Sequence, residues 1–103
     1  MSNYYNTILI IDDNNGMRAY LRSILQDKYN VSEATNGEQG LEKARREVPK
    51  LVVCDVMMPV MNGLEFTKRL KADTATSHIP VVLLTARSLS EQRKEGYDTG
   101  ADS

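Results

Sequence analysis

Residues 51–63 read LVVCDVMMPVMNG. Leu51, Val52, Val53 and Cys54 form a short apolar run, and one carboxylate, Asp55, stands at its end. Pro59 and the pair Asn62-Gly63 are turn residues, and an amphipathic segment follows. That is the profile of a buried strand ending in a functional acid at a loop, then a helix. An acid at the carboxyl end of a buried strand is costly unless something offsets its charge.

Upstream, Ile8, Leu9, Ile10 and Ile11 make a continuous aliphatic run that reads as a strand buried on both faces. It ends at two adjacent acids, Asp12 and Asp13. Asn14-Asn15-Gly16 starts a helix whose apolar residues Met17, Tyr20, Leu21, Ile24 and Leu25 share one face. Residues 31–34 are short and mixed, as in an edge strand. Thr35 and Glu38 have the spacing of a capping box and open a helix to about Glu47, with Leu41, Ala44 and Val48 facing inward and Pro49 ending it.

Downstream of the central stretch, Gly63, Phe66, Thr67 and Leu70 share a helical face. A polar loop over 72–79 leads to a third apolar strand, 81–84, ending at Thr85-Ala86. Ser88 and Glu91 offer another capping box, for a weakly amphipathic helix to about Thr99, with Gly100 as its terminator. Strands alternate with helices throughout, so the expected fold is α/β, a doubly wound parallel sheet with right-handed crossovers. Function in such sheets gathers beyond the carboxyl ends of the strands. Asp12, Asp13, Asp55 and Thr85 all stand there and are expected to converge on one rim.

Length and composition narrow the field. A chain of 103 residues holds one domain, and 41% hydrophobic with 26% charged residues is ordinary for a globular protein. Thirteen basic and 14 acidic residues leave a net charge of -1, which points to no direct contact with nucleic acid or an anionic membrane. The single cysteine, Cys54, excludes an intrachain disulfide and suits inert core in a reducing, cytoplasmic setting. Residues 1–7, polar and rich in Tyr and Asn, read as a linker or a non-native remnant, and 8–103 as the domain.

Three acids in one cleft cannot all be ionised without a cation, because like charges a few ångströms apart raise one another's pKa. The donors are hard oxygens, which favours Mg2+ over zinc, and the one His and one Cys offer no competing cluster. Magnesium sites with few carboxylates keep positions open for phosphate oxygens, which points to phosphoryl chemistry. A carboxylate can itself accept a phosphoryl group as an acyl phosphate, and a nearby hydroxyl, Thr85, can bind one of its oxygens.

Four stretches then carry a resemblance: ILIIDDN at 8–14, DVMMPVMNG at 55–63, VVLLTA at 81–86 and GAD at 100–102. Together, in this order, they resemble the receiver domain of bacterial two-component response regulators. The resemblance implies a flavodoxin-like sheet of order 2-1-3-4. It implies phosphoryl transfer from the phosphohistidine of a histidine kinase to Asp55, with Asp13 a direct Mg2+ ligand, Asp12 a ligand through water and the Met57 carbonyl a further ligand. Thr85 would be the switch hydroxyl. Met57 and Arg87 occupy the positions that flank the acyl phosphate, with Ala86 between Thr85 and Arg87; bulky Met57 is expected to hinder the attacking water. Residues 74–80, TATSHIP, are similar to receivers embedded in hybrid sensor kinase–regulator chains, and a fused output domain or a homodimer is a further implied partner.

The family continues past GAD into a fifth strand with a lysine and a fifth helix, so the domain is expected to be C-terminally incomplete, with strand 81–84 left as an apolar edge or covered by another chain. Lys43, Lys68 and Lys71 read as solvated helix faces. Two other phosphate chemistries fit less well. An aspartyl phosphatase acting from Asp12 wants an acid two residues on, where Asn14 stands, and a flavin-phosphate loop would be repelled by Asp12-Asp13. A receiver-like interaction module that is never phosphorylated remains as the alternative. The domain is expected to be a phosphoacceptor in signalling rather than an enzyme with turnover.

Overall fold

The computed structural model describes residues 6–84. The elements run β1 (Thr7–Ile11), α1 (Asn15–Leu25), β2 (Asn30–Ala34), α2 (Gly37–Glu47), β3 (Leu51–Asp55), α3 (Gly63–Ala72) and β4 (Val81–Leu84). The four strands form one parallel sheet in the order β2-β1-β3-β4, the flavodoxin-like arrangement. Residues 85–103, with Thr85, Ala86, Arg87, the second capping box and the helix to Thr99, lie outside the described residues.

The period of two along each strand sorts side chains between the faces. Leu9, Ile11, Val52, Cys54 and Val81 point to the side of α2 and α3, where they meet Leu41, Ala44, Phe66, Leu70 and Ile79. Ile8, Ile10 and Val53 point the other way, against Leu21, Leu25 and Tyr29. Two helices thus cover one face, while α1 is the one described helix on the other.

The helix α1 buries no residue outright. Leu21 and Leu25 pack on the sheet, but Met17, Tyr20 and Ile24 on the same stripe are exposed. The apolar face expected from the sequence is present and only half used by the described residues.

The start of α2 lies one residue later than expected. Asn36, not Thr35, is the N-cap, accepting from the Gln39 N–H at 2.8 Å. The Gln39 side chain reaches back to the Thr35 N–H at 2.7 Å, in the place expected for Glu38. Asn caps at least as well as Thr, and the shift sets Gly37 against Met61 and Gly40 against Ile11 and Phe66, where a Cβ would collide. At the other end Val48 is not inward-facing. It is the C-cap, in a left-handed conformation with φ 45° and its side chain out, because Pro49 follows and the helix has to stop.

The polar stretch after α3 is more tightly held than its composition suggests. Ile79 and Thr76 are buried, and the Thr76 hydroxyl donates to the Leu70 carbonyl at 2.7 Å, closing the end of α3. Lys71 donates to the Ile79 carbonyl at 2.7 Å and Lys43 to the Glu33 carbonyl, so neither is simply a solvated charge.

A candidate acidic metal centre on the carboxyl rim

Asp12 follows directly on β1 and Asp55 is the last residue of β3. Ile11 pairs with Cys54, so the next step of the register brings Asp12 level with Asp55. Asp12 continues the set of Ile8 and Ile10, and Asp55 that of Val53, so both fall on the α1 side of the sheet. Asp13 follows on the same turn. Carboxylate oxygens of Asp12, Asp13 and Asp55 all lie within 4.8 Å of one another. Asp12 is buried, Asp55 half-buried and Asp13 exposed.

Asp12 and Asp55 are each held by hydrogen bonds. The Asp12 N–H donates to the Ala34 carbonyl at 3.1 Å, and its Oδ1 accepts from the Asn14 N–H at 2.9 Å. Asn14 is also the N-cap of α1, accepting from the Met17 N–H at 2.8 Å. The Asp55 Oδ1 accepts from the Met57 N–H at 3.1 Å, while the exposed Met57 side chain points away from the core. Burial raises the Asp55 carboxyl above its ordinary value. The Met57 N–H pulls it down, and the Asp12 and Asp13 carboxylates push it up again. Cys54 is buried beside it, and burial together with the charges of Asp55 and Asp12 pushes its thiol far up, so it stays an unreactive core residue.

The loop after β3 is shaped by two close approaches. The Gly63 N–H donates to the Val56 carbonyl at 3.0 Å, and a Cβ on Gly63 would lie 2.5 Å from the Asp55 carbonyl oxygen. Only glycine lets α3 start that close beneath the acid. Between them Val60 has φ 68°, with the Met61 N–H donating across it to the Pro59 carbonyl at 2.8 Å. That is a γ-turn centred on a β-branched residue, a strained conformation. A cavity of about 290 Å³ opens beside the rim, lined by Thr35, Asn36, Gly37, Glu38, Pro59, Val60 and Met61. None of the three acids lines it.

The three acids expected from the sequence are therefore side by side; Thr85 and its neighbours are outside the described residues. Sequence reading overlooked Asn14 as the residue that orients Asp12, although an Asn three residues ahead of Met17 is a capping signal. It also overlooked Arg18 and Glu33. Arg18 donates from Nη1 to the Asp12 carbonyl at 2.6 Å, and Glu33 bonds both Arg18 and Arg22. An acid in a mixed edge strand facing arginines one helical turn apart was the available clue.

A parallel α/β sheet with three clustered carboxylates on its carboxyl rim defines an α/β domain with an acidic rim suited to a hard cation. Comparison with known proteins gives the family: the sequence model described as the response regulator receiver domain matches residues 8–103, and the chain belongs to that family. It is 44% identical over 97 residues to Histidine kinase P4 of Formosa agariphila, covering 94% of this chain and 7% of that protein. It is 35% identical over 98 residues to Response regulator Rre1 of Synechocystis, covering 93% of this chain and 42% of that one. Among solved structures, Vibrio cholerae chemotaxis protein CheY4 superposes with a TM-score of 0.86 at 33% identity, covering 92% of this chain and 80% of that one. The chain thus spans less than half the length of both named relatives. Among the described residues no helix is long and apolar enough to cross a membrane.

Proposed function

We propose that residues 8–103, preceded by a linker, form a phosphoacceptor domain in which Asp55 takes the phosphoryl group of a histidine kinase phosphohistidine. The observation that carries this reading is the meeting of Asp12, Asp13 and Asp55 within 4.8 Å in a chain of the receiver family. An Asp55 carboxylate oxygen attacks phosphorus, the phosphorus–nitrogen bond breaks, and the imidazole leaves and regains its proton from water. The donor set is all hard oxygen and its charges repel, which fits a magnesium ion; on the receiver resemblance, Asp13 and Asp55 would hold it directly, Asp12 through water and Met57 through its carbonyl. When bound, Mg2+ supplies charge neutralisation of the phosphoryl oxygens. Asp12, pinned by Asn14, keeps its carboxylate aimed at the rim. Asp55 is kept in place by the Met57 N–H. Thr85 serves as the switch hydroxyl, with Ala86 and Arg87 modulating. The product carries about -1.5 to -2 added charges, which is what a partner reads. The domain relays a signal and turns over no diffusible substrate. It works in the cytoplasm, toward a kinase and a fused output domain or a second copy.

The test is intact mass after incubation with Mg2+ and acetyl phosphate, beside Asp55→Asn. The expected result is a gain of one phosphoryl group that the variant loses. No gain in the wild type would sink the reading in favour of an interaction module that is not phosphorylated.

A further inference from the structure

Arg18 is the one described cation that touches the backbone of the acid cluster. Its side chain is 11% exposed, and all three nitrogens are used. Nη1 donates to the Asp12 carbonyl at 2.6 Å, Nη2 to the Asn15 side-chain oxygen, and Nε to Glu33 Oε1 at 3.0 Å. Glu33 is itself fixed, taking Arg22 Nε on its other oxygen at 2.6 Å. The fork therefore ties together the end of β1, the first turn of α1 and the edge strand β2.

The Asp12 carbonyl and the Asp13 N–H belong to one planar peptide. Holding that carbonyl fixes the direction in which the chain carries Asp13, whose exposed carboxylate makes no side-chain hydrogen bond among the described residues. Asp12 is anchored separately, through Asn14 and Ala34. We propose that Arg18 is a positioning residue for the metal-binding acids: by clamping the Asp12–Asp13 peptide it places the Asp13 carboxylate beside those of Asp12 and Asp55. The inference rests on the receiver reading of this site and adds a residue that acts on it from behind.

Charge and geometry make opposite demands, which gives the test its sign. Removing a cation from near an acidic rim tightens binding of a dication. Loosening a ligand's support weakens it, by about 10- to 100-fold where such outer contacts have been removed from other metal sites. The experiment is calorimetric titration of Mg2+ into the full chain, with folding followed by far-UV circular dichroism. Arg18→Met is expected to weaken Mg2+ binding by about tenfold. Arg18→Lys, which keeps the charge and loses the fork, weakens it as well. Arg22→Met, which removes a bond to Glu33 but none to Asp12, stays within about twofold of wild type. Arg18→Met binding as tightly as wild type or tighter would overturn the proposal, as would an equal loss in Arg22→Met. Should Arg18→Met not fold, Arg18→Lys against Arg22→Met makes the same comparison. A wild type that takes up no Mg2+ would bring down the receiver reading and this inference with it. A wild type that binds, beside an unaffected Arg18→Met, removes the positioning role alone.

Discussion

Asp55 shows how a residue's function and its cost to the fold are one quantity. Burial holds its carboxyl above the ordinary value of 3.8, and Asp12 and Asp13 add to the effect. The folded state therefore binds this proton more tightly than the unfolded chain does. Stability is highest below the ordinary value, falls as pH rises from there through the folded value, and stays lower above it. Asp55→Asn, which carries no charge, is expected to be more stable than metal-free wild type at neutral pH, with the difference closing toward about pH 3. Urea midpoints measured across that range check it; equal midpoints at neutral pH would show that the clustered acids cost nothing. Met57 lies beside the same carboxylate with its side chain exposed. If that side chain shields the acyl phosphate from water, Met57→Asn speeds loss of the phosphoryl group severalfold, read by intact mass against time after the donor is removed.

At the scale of elements, the sequence was read well where periodicity decides and less well where single side chains do. The strands, their burial and the inward faces of α2 and α3 follow from runs and spacings that tolerate few alternatives, and the three acids were found because strand ends are where those runs stop. Val48 and Asn36 were misread because a helix boundary depends on one residue's φ and on competition between adjacent caps, Thr35 against Asn36. The stripe of Met17, Tyr20 and Ile24 was legible as a face, but what covers it is not a local property. Val60 is a strained element centre that no pattern announces. Its side chain is fully exposed, so Val60→Gly gives up no burial. Relief of about 1–3 kcal/mol of backbone strain, less roughly 0.5–1 kcal/mol for the freer unfolded glycine, predicts a gain of about 1 kcal/mol in chemical denaturation. A loss would mean that the turn is held by the Val60 side chain after all.

For the molecule as a whole, the parallel order β2-β1-β3-β4 follows from the alternation of strands and helices, and it is what collects the acids. Arg18 and Glu33 escaped the sequence reading because their partnership joins α1 to an edge strand, a contact that exists only once the sheet is assembled. The same is true of the centre itself. Asp12 and Asp13 follow directly on one strand and Asp55 ends another, and α1, β2 and α2 lie between them in the chain. Their meeting closes a loop of about 40 residues and depends on the pairing of β1 with β3. A chain in which β1 and β3 have not yet paired has all of these side chains and none of their juxtaposition. The signalling chemistry proposed for this domain therefore carries its own quality control: chains that have not completed their central seam stay silent and do not add noise to the relay.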